Sequence, residues 1–212
     1  MEAVVPGLYS SAPRPLPFAP SMAMRSFLCR RPQGNLLIYG VGALDAEASE
    51  IDRLGGVSRH YLNHRHEAEF VSEGAGGPPF VHERDRDAVV EKVGVGGSFS
   101  AGQVLDGDFE VIPTPGHTPG ATAYLWNSGD HRVLFTGDTI YLSGGKWVAA
   151  VLDSSDRASY AASLEVIREL DFDMLVPWIA TAHQPYYALT NPAEKRRCVD
   201  AILERVRRGD DR

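Results

Sequence analysis

Apolar residues recur along this chain with two different periods. Short apolar runs bounded by glycine or proline predict strands, as at residues 35–40, 109–113 and 174–179. Residues 44–54 and 157–170 instead carry apolar side chains at helical spacing. Strands followed by a helix occur twice, without a long linker between the two groups, so each helix has a sheet nearby on which to pack.

The most clearly defined predicted helix lies near the end of the chain. Asn191 is a helix-capping residue, Pro192 suits a first helical turn, and Gly209 suits a helix end. Residues 199–206 place their apolar side chains on one face. Helices with one apolar stripe, together with strands joined by short turns, predict two sheets packed face to face with helices outside. The expected fold class is therefore α+β.

The first residues follow neither period. Residues 1–21 are rich in proline, and we expect them to form an extended N-terminal arm over the surface. The length suits a single domain that spans residues 1–212.

The composition limits the possible binding partners and locations, but it does not indicate a reaction. The net charge of −7 argues against a nucleic-acid partner, because phosphate binding needs a concentrated basic surface. No apolar run approaches the length that spans a membrane, and no targeting segment is evident, so we expect a cytoplasmic protein. The two cysteines, Cys29 and Cys198, do not form a disulfide framework and are expected to be free thiols.

Three segments carry residues suited to metal binding. His64 and His66 follow a predicted strand, and residues two apart at a strand end lie on the same side, so both imidazoles can approach one cation. His117 lies between two proline-glycine turns, which hold a loop residue rigidly. Asp138 follows an apolar strand, where a buried carboxylate needs a partner. Taken singly, each has an ordinary alternative: a surface pair, a turn histidine, or an aspartate that accepts backbone amides.

Taken together, these segments resemble the metallo-β-lactamase superfamily. The HRH pair is followed after about fifty residues by PGHTPG and after about twenty more by FTGDT, within a resemblance over roughly residues 22–178. The resemblance implies a four-layer αβ/βα sandwich with metals between the sheet edges. It implies His64, His66 and His117 as ligands of the first metal, and Asp138 as the aspartate that bridges two metals.

The chain departs from the family pattern at the second metal position. The family's aspartate falls on Ala68, the histidine after it on Glu69, and a late histidine on Ile179. The resemblance therefore implies one metal ion, zinc, with iron also possible, and leaves proton handling to Asp138 and Glu69. We expect Glu67 to point away from the site, one residue out of phase.

Two further residues bear on the missing second site. Trp178, beside Ile179, is expected to fill the space that a second metal would occupy. His183 either folds back to replace the missing ligand or is an ordinary loop histidine. The sequence leaves both alternatives open.

Three functions fit these observations. The first is a mononuclear zinc hydrolase that acts on an ester, thioester or amide of a small molecule through a metal-bound water. The second is a non-catalytic protein that binds a ligand or partner with a degenerate metal site. The third is a non-haem iron dioxygenase, because His64, His117 and Asp138 form a two-histidine, one-carboxylate set. The substrate and the oligomeric state stay open.

Overall fold

A computed structural model describes residues 1–42, 44–71 and 74–210. The helices are α1 (Ala48–Arg53), α2 (Glu83–Val90), α3 (Arg157–Glu169) and α4 (Pro192–Arg208), with 3-10 helices at Leu44–Glu47 and Arg65–Phe70. The strands, in chain order, are β1 (Glu2–Val5), β2 (Leu8–Ser10), β3 (Arg14–Leu16), β4 (Ala19–Met24), β5 (Phe27–Cys29), β6 (Leu36–Ile38), β7 (Arg59–Tyr61), β8 (Phe80–His82), β9 (Gly97–Phe99), β10 (Gln103–Leu105), β11 (Phe109–Pro113), β12 (Thr122–Asn127), β13 (Arg132–Gly137), β14 (Tyr141–Ser143), β15 (Lys146–Val148), β16 (Met174–Pro177), β17 (Ile179–Thr181) and β18 (Ala188–Leu189).

The strands form three sheets within the described residues. The first sheet has the order β1-β2-β5-β6-β7-β8-β9, and the second has the order β10-β11-β12-β13-β16-β18. The third and smallest sheet has the order β15-β14-β17-β4-β3. Strand β13 pairs parallel with β16, and β14 pairs parallel with β17, so both chain segments pass from the second sheet into the third.

The main hydrophobic core lies between the first and second sheets. Tyr61 and Tyr124 approach across it with ring centroids 5.3 Å apart, and Phe27 and Phe135 do so at 6.1 Å. Successive side chains of a strand point to opposite faces, so Leu125 lies on the other side of β12, against the helices. Both faces of this strand are therefore buried.

Helices cover the outer faces of both sheets. Leu164 of α3 and Val199 of α4 pack against Leu125 on the outside of the second sheet. On the outside of the first sheet, Val89 of α2 packs with Val81. The order helix, sheet, sheet, helix is the four-layer α+β sandwich that the sequence predicted.

The ends of α4 follow from local chemistry, as expected. Asn191 Oδ1 accepts hydrogen bonds from the backbone N–H groups of Ala193 and Glu194, at 3.1 and 3.0 Å. Gly209 ends the helix with φ 80°, a conformation that glycine adopts without steric cost. The predicted boundaries of this helix are confirmed.

The prediction of an extended N-terminal arm was wrong. Residues 1–21 contribute β1, β2, β3 and part of β4, which pair into the first and third sheets. Pro15 lies in β3, the last strand of the third sheet, where one side of the strand has no neighbour and a missing N–H costs nothing. A proline-rich composition therefore did not exclude strands, because these strands lie at or near a sheet edge.

Two of the simpler expectations concern the cysteines and membrane helices. Cys29 is buried, Cys198 is half-buried, and both are free thiols as predicted. Within the described ranges, no helix is long and apolar enough to cross a membrane.

Candidate metal centre

Four predicted residues come together where loops leave the first and second sheets. His64 and His66 follow β7, His117 lies between β11 and β12, and Asp138 directly follows β13. One nitrogen from each histidine lies within 4.8 Å of the others. Asp138 Oδ2 lies 3.6 Å from His64 Nε2 and 3.7 Å from His117 Nε2. The chain therefore places three imidazoles and one carboxylate around a common point.

Neighbouring groups decide which nitrogen of each imidazole faces that point. His117 Nδ1 donates to the carbonyl oxygen of Ala150 at 2.6 Å, which leaves Nε2 as the free, accepting nitrogen. His64 Nδ1 lies 3.0 Å from Glu67 Oε1, so Nε2 again faces inward. His66 instead presents Nδ1, which lies 3.1 Å from His117 Nε2. Two ligands on a tetrahedral zinc ion are about 3.3 Å apart, close to this last spacing.

Burial keeps the three imidazoles in the form that binds metal. Burial lowers the pKa of His64 and of His117 well below the usual value, and the nearby histidines lower it further. Burial also lowers the pKa of His66, with a contribution from the charge of Arg65. Neutral imidazole is the ligand form, so each shift favours metal binding.

Asp138 is a buried acid that lies beside two imidazoles. Burial raises the pKa of its carboxyl to about 8, and the negative charge of Glu67 adds to the rise. Within the described part of the chain, Asp138 Oδ1 and His64 Nε2 are buried without a hydrogen-bond partner. A divalent cation between the imidazoles would satisfy both atoms, because buried polar groups need partners. The donor set of nitrogen and carboxylate oxygen fits zinc or iron.

The structure corrects the expected directions of Glu67 and Glu69. Residues 65–70 form a 3-10 helix rather than a continued strand, so Glu67 turns into the core and Glu69 turns outward. The Glu67 carboxylate accepts from the backbone N–H groups of Gly40 (2.9 Å), Asn63 (2.8 Å) and His64 (3.2 Å). Burial raises the pKa of Glu67 to about 8. The residue expected to point away is thus the one that fixes the His64 loop.

Asp85 is a functional residue that sequence reasoning missed. It lies in the first turn of α2, with 1% of its surface exposed. Its Oδ2 accepts from the backbone N–H of Arg65 at 3.0 Å and from the Thr118 hydroxyl at 2.5 Å. Its Oδ1 accepts from the backbone N–H of Gly120 at 3.0 Å. One carboxylate therefore joins the loop of His64 and His66 to the loop of His117.

Close packing fixes the backbone in front of Asp138. The Tyr39 hydroxyl donates to the Val176 carbonyl at 2.6 Å and accepts from the Gly137 N–H at 2.9 Å. Gly137 has φ 55°, and a Cβ there would collide with the Asn63 side chain. Only glycine fits this position, which ties the first sheet to the end of β13.

Two of the three positions of the missing second site hold no ligand side chain. Ala68 is buried in an apolar cluster on the outside of the first sheet. The Trp178 ring packs edge-on to His64, with centroids 5.4 Å apart, and its Nε1 donates to the Gly40 carbonyl at 2.7 Å. His183 is exposed in a turn. In the described residues, an indole ring therefore lies beside His64.

A cavity of about 520 Å³ opens in front of the four residues. His66, His117 and Asp138 form part of its wall, and Glu69 lies at its edge with an exposed side chain 3.7 Å from the amine of Lys92. The remaining wall is apolar or aromatic: Leu16, Phe18, Ala19, Met22, Phe70, Tyr141, Ala149, Ala150, Val151, Leu152, Trp178 and Ile179. A small molecule that enters here meets the histidines and Asp138 directly.

The sequence profile of the metallo-beta-lactamase superfamily matches residues 45–177, more than half of the chain. The protein therefore belongs to this superfamily. A 66-residue segment is 38% identical to hydroxyacylglutathione hydrolase of Neisseria meningitidis serogroup A, and equally to that of serogroup B. Each match covers 31% of this chain and 25% of the relative, so the similarity spans about a quarter of those proteins.

Solved structures share the fold at low sequence identity. A metallo-β-lactamase from Pontibacter korlensis superposes with a TM-score of 0.70 and 14% identity, over 97% of both chains. A metallo-β-lactamase family protein from Thermus thermophilus gives 0.66 at 18% identity, over 97% of this chain and 81% of that one. A β-lactamase from Chitinophaga pinensis gives 0.61 at 19% identity, over 90% of each chain. At such identities the likeness shows the fold alone.

Proposed function

We propose that this protein is a metal-dependent hydrolase with one tightly bound metal ion, zinc, that cleaves an ester, thioester or amide of a small molecule. One observation carries the proposal. Three imidazoles and the buried carboxylate of Asp138, whose Oδ1 has no hydrogen-bond partner among the described residues, surround one point at the wall of a cavity. His64, His66 and His117 would hold the ion, together with Asp138.

The chain's own residues supply binding and proton transfer. A zinc ion held there would provide a Lewis acid and would lower the pKa of a bound water to about 7. Asp138 would be a ligand and also the acid-base group, because its Oδ2 lies in the cavity wall 3.6 Å from His64 Nε2 and 3.7 Å from His117 Nε2. Glu69 lines the same cavity and reaches solvent, so we assign it the transfer of protons between the cavity and bulk water.

Several features support a small-molecule substrate. The cavity of about 520 Å³ is within the size range of small-molecule sites. The matched Neisseria relatives carry the name of a hydrolase of hydroxyacylglutathione. The net charge of −7 is unfavourable for a nucleic acid.

One observation favours a second candidate, a ligand-binding protein without catalysis. Ala68 and Ile179 offer no ligand atoms where the family places second-site ligands, and Trp178 occupies the neighbouring space. A third candidate, an iron dioxygenase, uses the same His64, His117 and Asp138 set with ferrous iron.

The experiment is a hydrolysis panel on metal-loaded protein. Chromogenic esters, thioesters and lactams are offered to protein supplied with zinc and, separately, to anaerobic protein supplied with ferrous iron, with oxygen uptake recorded in the second case once oxygen is admitted. His117→Ala removes an inward-facing ligand and should abolish turnover. His183→Ala removes an exposed imidazole and should leave turnover within about twofold.

Each outcome distinguishes among the candidates. Zinc-dependent cleavage lost in His117→Ala supports the hydrolase. Absence of cleavage and of oxygen uptake in loaded protein supports the binding protein, and oxygen uptake with iron supports the dioxygenase.

A further inference from the structure

The cavity in front of the metal centre is unusual in its apolar mouth. Phe18, at the turn between β3 and β4, is 80% exposed, and Leu152, from the loop after β15, is 43% exposed. Large apolar side chains are rarely left in water without a reason when several share one concave site. Behind them, Met22, Phe70 and Trp178 continue the apolar wall inward.

The described side chains of this wall include acids but no lysine or arginine. Among the residues that line the cavity, the acidic side chains are Glu69 and Asp138, the second of them a proposed metal ligand. Lys92 lies near the edge but is 3.7 Å from Glu69 and forms its ion pair there. The charge of Arg65 reaches the histidines and lowers the pKa of His66, but Arg65 is not part of the wall.

From this wall we infer that the cavity takes an uncharged, apolar acyl group, and that a substrate carboxylate is selected against. A carboxylate inside such a wall would lose its water without gaining a cationic partner, apart from the metal at the far end. It would also meet the like charge of Glu69. An apolar chain would instead replace water at Phe18 and Leu152, which is favourable.

This inference rests on the proposed hydrolase and specifies its substrate class. It concerns the acyl part of the substrate, whereas the two carboxylates of a glutathione thioester, the class in the name of the Neisseria relatives, lie in the thiol part. The similarity to those relatives covers 66 residues, 31% of this chain.

The direct test compares acyl groups that differ only in charge. Hexanoyl and adipoyl groups have the same chain length, but adipoyl ends in a carboxylate where hexanoyl ends in a methyl group. Each is offered on p-nitrophenol and on N-acetylcysteamine to the zinc-loaded wild type. We expect kcat/KM to favour hexanoyl by about tenfold or more, since an unpaired buried carboxylate loses its solvation. Along the series acetyl, butanoyl, hexanoyl, kcat/KM should rise about threefold for each added methylene.

Charge-insertion variants locate the selectivity. Leu152→Lys and Phe18→Lys each place a cation at the mouth, on side chains exposed enough for the fold to tolerate the change. We expect either variant to reduce the preference for hexanoyl by about 3- to 10-fold. Val104→Lys is the matched control, because Val104 is 63% exposed but lies outside this cavity wall. It adds the same charge to the protein and should leave the preference unchanged.

A binding measurement separates this inference from the hydrolase itself. Saturation-transfer NMR compares the binding of hexanamide and of hexanoate. Metal-free protein is used because a carboxylate could otherwise bind to the metal. If the wild type binds hexanamide more strongly than hexanoate and Leu152→Lys reduces this preference, the inference is supported. This holds even if no substrate is cleaved, and then the hydrolase proposal alone fails. Equal or stronger binding of hexanoate, or a wild type that cleaves adipoyl as well as hexanoyl, overturns the inference and leaves the hydrolase proposal standing.

Discussion

Replacing Asp85 by asparagine tests how the centre is held together. The aspartate accepts three hydrogen bonds from two loops while only 1% of its surface is exposed. Asparagine keeps the size but has a single acceptor oxygen, so its amide N–H₂ must face at least one donor. Asp85→Asn therefore breaks at least one hydrogen bond to a charged group and buries unpaired donors.

The size of the effect follows from these contacts. A hydrogen bond to a charged group contributes about 1.5–3 kcal/mol, and a buried donor left unpaired adds to the loss. We expect Asp85→Asn to lower the free energy of unfolding of the metal-free protein by about 2–4 kcal/mol. Because Asp85 sets the spacing of the His66 and His117 loops, metal affinity should fall by about 10- to 100-fold.

The assay is urea unfolding followed by circular dichroism, with zinc affinity measured by competition with a chromogenic chelator. Asp87→Asn is the matched control, because Asp87 lies on the same helix with a fully exposed side chain. Its unfolding free energy should change by less than about 0.5 kcal/mol. If Asp85→Asn behaves like this control in both measurements, the two loops are not held by this carboxylate and the reasoning is refuted.

Three further substitutions test neighbouring parts of the account. Tyr39→Phe removes two hydrogen bonds on a buried hydroxyl and should cost about 1–3 kcal/mol of unfolding free energy, measured in urea; an unchanged midpoint would contradict it. Glu67→Gln should weaken zinc binding by about 10- to 100-fold through His64, measured by chelator competition, and unaltered affinity would exclude this role. Glu69→Gln should lower turnover by about 10²-fold, the low end for an acid-base group, whereas Lys92→Gln, which removes only its ion-pair partner, should not; equal rates for wild type and Glu69→Gln would remove Glu69 from the mechanism.

Much of the fold was readable because its signals are local. The cap at Asn191 and the glycine at Gly209 act within one helical turn, so they fixed the ends of α4. The short apolar run at residues 109–113 predicted the strand β11. The candidate metal-binding residues were predicted because their motifs, taken together, resemble the metallo-β-lactamase superfamily.

The features that the sequence did not predict depend on contacts between distant segments or on the direction in which a short helix turns its side chains. Pro15 and its neighbours form strands only because partners elsewhere in the chain accept them at an edge. Glu67 and Glu69 exchanged directions because the backbone turns into a 3-10 helix directly after His64. Asp85 joins segments twenty to thirty-five residues away, and nothing in the sequence near it marks that role.

The central claim is that His64, His66, His117 and Asp138 hold one metal ion. Equilibrium dialysis against zinc, followed by elemental analysis of the protein, tests it most directly. We expect about one tightly bound zinc per chain in the wild type and the loss of that zinc in His117→Ala. Circular dichroism should show that both proteins are folded. Wild-type protein that binds no zinc, binds two ions tightly, or binds one that His117→Ala retains would contradict it.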